Sequence, residues 1–354
     1  MSRLIKYLLL TLIMATNCVS PYDFDAEKGG TYFVVSGGVN QLDETNSIKL
    51  SYSTKYGTNS RAQPINDAQV VLVNSRNEKE EFYFQEEGVY VHYGLQVPVL
   101  VGESFHIEIE CSGKNYRTDP ERVPEPIVPD QLTYEVGYAT AVNTIGNEVT
   151  RENIDIFIDT PININGERSY LRWKTDESWV FTEVQCHPLS IPKSCFMYRK
   201  LETERIFIYD SEGISGKYLE QRLIAQKTID DKVEFIERHF FNGHQYTLTK
   251  EAYAYWKKVV DLANPSGDIF DLPPAPLPGN VYNIDDQRET VLGYFEVASK
   301  AIARVDLTKP DLRPFIIPTQ NYLCSNYGPR TNYDEACCQC LVLPNSSTER
   351  PDYW

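Results

Sequence analysis

The sequence lacks a segment apolar for long enough to cross a membrane as a helix. Its one marked apolar stretch, Tyr7–Ala15, has nine residues, where a spanning helix needs about 20. Positive charge is also scarce: 34 Lys and Arg stand against 50 Asp and Glu. No basic stripe offsets that balance, so binding to an extended polyanion such as nucleic acid is excluded, because phosphate contacts need cations. The phosphate-loop pattern G-x-x-x-x-G-K-[ST] is missing, and so is a zinc helix of the form H-E-x-x-H. Ser215 sits between glycines in "EGISGK", but G-x-S-x-G is absent and a strand-connecting turn is the reading. No internal repeat or low-complexity tract occurs.

What is present begins at the N-terminus. Arg3 and Lys6 precede the short apolar run, and Cys18 follows it. Charged residues, a brief apolar core and a processing point are the layout of an export signal. Residues 1–17 are read as a lipoprotein signal peptide and Cys18 as the mature N-terminus, carrying diacylglycerol and acyl chains; the alternative is cleavage after Ser20 with Cys18 lost. Such chains hold a protein on a bilayer, each buried methylene contributing about 0.8 kcal/mol. Residues 18–30 form an acidic tether with Asp23, Asp25 and Glu27. Without Arg3 and Lys6 the balance is 32 cations against 50 acids, a net charge of −18.

From Thr31 the sequence reads as short strands with turn residues between them: "TYFVVSG", "SIKLSYS", "AQVVLVN", "EFYFQ", "VYVHYG" and "ESFHIEIE". Alternation of Phe105, Ile107 and Ile109 marks a half-buried strand. This is an all-β, immunoglobulin-like sandwich over residues 31–118. "DPERVPEPIVPD" carries four prolines and reads as a stiff linker over 119–131. Strands resume in a larger β-rich domain over 132–323. One helix interrupts it at about 249–264, with Thr249 as cap and Tyr253, Trp256, Val260 and Ala263 on one face. A cysteine-rich tail, 324–354, ends the chain. The fold class is therefore mainly β.

Candidate chemistry is sparse. The five histidines are His92, His106, His187, His239 and His244. Asn242-Gly243 is a hairpin signal, which places His239 and His244 on opposing strands of a surface hairpin, without a third ligand for a metal. Asp155 and Asp159 form one of many carboxylate pairs, as expected by chance in so acidic a chain. Neither a catalytic residue nor a metal site is assigned, and no cofactor is expected beyond the lipid on Cys18. Besides Cys18 there are seven cysteines: Cys111, Cys186, Cys195, Cys324, Cys337, Cys338 and Cys340. In an exported chain disulfides are the default, and an odd number leaves at least one thiol unpaired. Cys186 and Cys195 enclose a short proline-containing loop and are expected to bridge each other. Cys324, Cys337, Cys338 and Cys340 are spaced unlike a zinc site and are expected to tether the tail to the second domain. The terminal Tyr353 and Trp354 then either pack on that domain or meet a partner.

Several segments in order, "FVVSGGV", "PINDAQVVLVN", "VGESFHIEIECSGKNYRTD", "SYLRWK", "YTLTKEAYAYWKKV", "VLGYFEVAS" and "CCQC" before "RPDYW", resemble the Bacteroidota lipoproteins of the domain-of-unknown-function 4249 family. The first half also resembles carboxypeptidase-regulatory-like β-sandwiches. The resemblance implies a lipid-anchored protein of the outer membrane, facing the cell exterior. It also implies a partner, a TonB-dependent transporter or another outer-membrane complex, for which the chain is a non-enzymatic accessory subunit aiding ligand capture or assembly stability. The alternatives are a surface hydrolase acting on polymers and a structural or adhesive surface module.

Overall fold

The chain is mainly β. The computed structural model describes residues 31–354 apart from 44, 55–60, 143–144, 165–166, 202–204, 213, 215, 230–231, 264–275, 313–314, 316, 318–323 and 325–333. The signal peptide, Cys18, the acidic tether and Ser215 thus lie outside the described residues. Nine strands come first: β1 (Phe33–Val39), β2 (Thr45–Tyr52), β3 (Gln63–Pro64), β4 (Gln69–Asn74), β5 (Lys79–Glu86), β6 (Val89–Tyr93), β7 (Ser104–Cys111), β8 (Lys114–Thr118) and β9 (Glu121–Arg122). Nine more follow: β10 (Gln131–Val142), β11 (Glu148–Pro161), β12 (Asn163–Ile164), β13 (Glu167–Arg168), β14 (Tyr170–Thr182), β15 (Ser194–Lys200), β16 (Phe207–Asp210), β17 (Tyr218–Thr228) and β18 (His239–Thr247). Helix α1 (Lys250–Ala263), β19 (Val281–Asn283), β20 (Val291–Val297), β21 (Ser299–Leu307), a one-turn helix α2 (Glu335–Cys338) and β22 (Ser346–Ser347) follow, with short 3-10 turns between some of them.

The first sandwich is one ladder folded into two layers at β5. Residues up to Phe82 pair with β4, and residues from Tyr83 pair with β6. Alternation works as the sequence predicts: Phe105, Ile107 and Ile109 of β7 are all buried. They meet Val35, Leu50 and Phe295 in one core, where Phe33 stacks on Tyr116 with ring centroids 4.2 Å apart. Each such side chain contributes about 1.5–3 kcal/mol by burial.

Two elements of this sandwich lie far along the chain. β19 pairs with β8, and β20 runs parallel to β1. The expected division into 31–118 and 132–323 is therefore corrected: residues 281–297 belong to the first sandwich. The parallel pairing needs Gly293, whose φ of +90° disfavours other residues; a Cβ there would stand 1.9 Å from the Val35 carbonyl oxygen. The proline-rich segment is corrected too. It is a packed strap rather than a free spacer, with Val123 and Ile127 buried in the two cores. Prolines fit because the strap makes few ladder hydrogen bonds.

The second sandwich sets the sheet β21-β18-β14-β15-β22, with β16 also on β14, against the sheet β10-β11-β17. Ile154, Ile156, Leu171, Trp173 and Phe241 fill the space between. Here the hairpin expected at Asn242-Gly243 is absent. Both residues lie inside β18, which pairs along its whole length with β14 and β21. Gly243 serves another purpose: a Cβ at this position would stand 2.8 Å from Leu132 Cδ1 and 3.2 Å from Ile224 Cδ1 of the opposite sheet. The close approach of the two layers selects glycine.

Only Ala298 separates β20 from β21, so one nearly continuous stretch serves the first sandwich and then the second. Helix α1 lies across this junction. The Ala252 N–H donates to Thr249 Oγ1 at 3.1 Å, the expected cap. Ala252 packs with Leu248, Tyr294 and Ala298, flanked by Tyr253, Tyr255 and Trp256. No helix among the described residues is long and apolar enough to cross a membrane.

Candidate functional site

The junction between the sandwiches holds two cavities, one on each side of the strap. One, about 540 Å³, lies between the strap, helix α1 and the first sandwich, with Glu121, Thr249, Glu251, Tyr255, Lys258 and Tyr294 on its walls. The other, about 590 Å³, is lined by Val123, Glu125, Ile127, Arg168 and Thr247 among others. Arg122 borders both. Cavities of this size at a domain junction, with a few convergent polar groups, are where ligands are ordinarily held.

Glu121 is the chemical centre of the smaller cavity. It is only 6% exposed. Its carboxyl accepts from the Val297 N–H at 3.1 Å and from Thr249 Oγ1 at 3.3 Å, and it shares a short hydrogen bond with the Tyr294 hydroxyl. Burial pushes its pKa up to about 8; the Val297 N–H acts against this, while the nearby Glu296 and Glu251 add to it. Glu121 is thus protonated at neutral pH, like carboxylic acids that donate rather than ionise. Its hydrogen bonds join strap, helix and β20.

The raised pKa fixes the sign of a pH effect. The folded state holds this proton more tightly than the unfolded chain, so the contribution is full below the ordinary value of 4.5 and is lost as pH rises through about 8. Glu121→Gln, which keeps the shape and stays neutral, is expected to remove that loss. At alkaline pH the variant should exceed the wild type by up to about 5 kcal/mol in urea unfolding, with little difference in acid. Parallel stability curves for the two proteins across this range would contradict the assignment.

Beside Glu121, a second buried acid faces the other way. Glu296 accepts from Arg172 Nη2 at 2.5 Å and from Trp256 Nε1 at 2.6 Å. Arg172 lies over the rings of Trp256 and Tyr246, 4.6 and 4.7 Å from their centroids. Gln41 exchanges two hydrogen bonds with the Lys300 backbone at 2.9 and 3.0 Å. The strap is fixed as well: the Ile127 N–H donates to Thr247 Oγ1, and Gln245 Nε2 donates to the Ile127 carbonyl.

His239 and His244 do not flank a hairpin turn on opposing strands as expected: both lie in β18. His239 is fully buried between Phe235 and Trp179, ring centroids 4.5 and 5.9 Å away. Its Nε2 is 3.1 Å from Glu177 Oε2. Glu177 also meets Lys227 Nζ at 3.0 Å and Arg199 Nε at 2.6 Å. Five residues away, on the opposite face of the sheet, His244 Nε2 makes a short contact with Asp176, which accepts from Asn242 Nδ2 and the Tyr198 hydroxyl, both at 2.6 Å. An odd separation along a strand places two side chains on opposite faces. Burial pushes Asp176 up, but the hydrogen bonds from His244, Tyr198 and Asn242 and the His244 charge outweigh it, and its pKa is lowered. Asp155 accepts from Asn153 and Gln226, and Asp159 from Gln131 and the Gln221 N–H. Among the described residues no group of three or more His, Cys, Asp and Glu is placed to hold a metal ion.

The cysteines pair across the chain. Cys186 bonds Cys338, Cys195 bonds Cys340 and Cys324 bonds Cys337. The expected Cys186–Cys195 bridge is corrected: each of the two reaches the tail instead. Cys195 sits in β15 opposite Phe181, fully buried; Cys340 reaches it from a 3-10 turn (Cys340–Val342) just before β22, which pairs with Phe196 and Met197 of β15. Cys186 lies outside the ladder, in the loop between β14 and β15, and bonds Cys338. Among the described residues Cys111 is the free thiol, buried in the first core. Trp354 packs edge-on against Phe196 and Phe240, and Tyr353 packs on Phe240 beneath the Arg304 guanidinium. Both terminal aromatics remain partly exposed.

Glu121, Arg172, Glu177 and Glu296 were not singled out from the sequence. The available signal was positional. Arg172 breaks the apolar run "YLRW", and Glu121 is a charge inside a proline strap; each is the kind of local conflict that sequence reasoning can flag. Which partner neutralises it is a tertiary fact. A family model described as Domain of unknown function (DUF4249) matches residues 19–304. No curated protein matches the chain.

Proposed function

The chain belongs to that family, and from this premise we propose that it is a non-enzymatic, lipid-anchored accessory subunit of an outer-membrane complex. Cys18 is the acylated mature N-terminus, and the acidic residues after it carry the folded part to the cell exterior. The partner is a TonB-dependent transporter or a related outer-membrane assembly of a Bacteroidota cell, and the role is to aid ligand capture or to stabilise the complex. The carboxypeptidase-regulatory-like character of the first sandwich belongs to the same reading.

The observation that carries this proposal is the disulfide-braced tail. Three bridges fit an exported chain folded in an oxidising compartment. Two of them, Cys186–Cys338 and Cys195–Cys340, tie the tail to the second sandwich, where Tyr353 and Trp354 pack on Phe196 and Phe240 as a half-exposed aromatic edge, and aromatic side chains held in place lose little entropy on docking. The fused sandwiches suit a scaffold that transmits position from a lipid anchor to such an edge.

The test has two parts. Mass spectrometry of the native N-terminal peptide is expected to find Cys18 acylated, and Cys18→Ala is expected to release the protein from membranes. Mild-detergent purification from native membranes is expected to bring a β-barrel transporter along, in amounts that fall when Tyr353 and Trp354 are both replaced by alanine. An unmodified N-terminus after Ser20 overturns the anchor. Recovery of the anchored protein without any outer-membrane partner overturns the accessory role.

A further inference from the structure

We infer that the outer face of the second sandwich's larger sheet, around Lys174 and Lys200, binds a single oxyanion group, a carboxylate or a phosphate. This goes beyond anchoring and partner docking, and it does not depend on either.

The face is defined by strand register. Arg172, Lys174 and Asp176 alternate along β14 and project to one side. Directly across on β18 stand Tyr246, His244 and Asn242. Lys300 of β21 lies opposite Tyr246, and Lys200 of β15 lies opposite Asp176. The Tyr246 ring is surrounded by cations: the Arg172 guanidinium carbon is 4.7 Å from its centroid, and the ammonium groups of Lys174 and Lys300 are each 5.7 Å away.

The inner cations are paired. Arg172 bonds Glu296 at 2.5 Å, and Lys300 bonds Asp43 at 2.6 Å. Both are almost fully buried. Lys174 and Lys200 differ: both are exposed, and the ammonium group of neither makes a hydrogen bond or ion pair with a described residue. The one acid of this face beside them, Asp176, is already taken by His244, Asn242 and Tyr198. In a chain of net charge −16, two adjacent unpaired lysines over a buried cationic layer are an arrangement that folding alone does not require.

The electrostatics agree with this geometry. Desolvation by the surrounding protein, followed by Arg172, Lys200 and Lys300, pushes the Lys174 pKa down to about 8, while Glu296 acts the other way. An anion placed between Lys174 and Lys200 relieves that repulsion and receives two charge-assisted hydrogen bonds. The bound form should therefore hold the Lys174 proton more tightly.

The experiment uses the full chain in low-salt buffer. Isothermal titration with inorganic phosphate and, separately, with succinate measures binding; the two arms decide which oxyanion is preferred. Lys174→Met and Lys200→Met are expected to weaken binding at least ten-fold each, and Lys174→Arg to restore it to within a few-fold. Because both side chains are exposed, the variants should fold, and circular dichroism checks this. Carbon-13 NMR of reductively methylated lysines is expected to show the Lys174 pKa rising when the ligand is added. Absence of saturable binding of both probes to the wild type overturns the inference, and so does equal binding by the wild type and the folded Lys174→Met, Lys200→Met double variant.

Discussion

Replacing Glu177 by alanine is expected to destabilise the protein by about 3–5 kcal/mol, the range for breaking a buried ion pair from one side. Glu177 is fully buried and holds three groups: His239, Lys227 and Arg199. The Lys227 side chain is itself only 9% exposed, and His239 has no contact with solvent. Removal of the carboxylate leaves these donors without their acceptor, and only Glu234 remains to share Lys227 and Arg199. The Arg199 part is smaller, since that side chain is 44% exposed and screened by water.

The same cluster sets an acid sensitivity. Burial pushes Glu177 up, yet the His239 hydrogen bond and the charges of Lys227, His239 and Arg199 outweigh it, holding the carboxyl at about 2. A depressed folded pKa gives stability that is full above the ordinary 4.5 and fades as pH falls through about 2. Glu177→Gln, which cannot ionise, should lose less stability in this window than the wild type. Urea unfolding at neutral and acid pH reads both effects. A Glu177→Ala protein within about 1 kcal/mol of the wild type at neutral pH would show that the cluster rearranges to satisfy itself.

Charge clusters of this kind mark the limit of what the sequence discloses. The alternation of Phe105, Ile107 and Ile109 and the cap at Thr249 are local patterns, and the structure places them as read. Asn242-Gly243 carries an equally local signal and misleads. The dipeptide favours a tight turn, but Gly243 is selected by Leu132 and Ile224, residues of another sheet. The strand at "VLGYFEV" is legible as a strand, whereas its parallel partner Phe33–Val39 lies some 250 residues earlier and cannot be read from periodicity. For the candidate site, the strap was visible as proline composition, but its role as a packed element was not. That role depends on Glu121 meeting Thr249, Tyr294 and Val297, three points brought together only when the chain returns to the first sandwich.

Cysteine pairing shows the same division, and it leads to the largest expected effect. Cys186–Cys338 and Cys195–Cys340 close loops of 152 and 145 residues. The first long loop to close restricts the unfolded chain most, by about 5 kcal/mol in the chain-entropy account, whereas the second closes only a small loop of about ten residues and adds about 2–3 kcal/mol. Deleting either bridge alone as a Cys→Ser pair should therefore cost the smaller amount. Deleting both, with Cys186, Cys195, Cys338 and Cys340 all replaced by serine, should cost about 7–8 kcal/mol in the same account. The loss then reaches past the bridges. β22 holds β15 by only two residue pairs, and the Tyr353 and Trp354 contacts with Phe196 and Phe240 depend on the tail being held near the sheet. The buried cluster of Cys195, Met197 and Cys340 would also open to water. Non-reducing peptide mapping is expected to find Cys186 with Cys338 and Cys195 with Cys340; a Cys186–Cys195 peptide would refute the pairing. Thermal unfolding should show two modest losses for the single deletions and a much larger one for the double. Equal stability of wild type and double deletion would mean that the tail is held by its aromatic contacts alone.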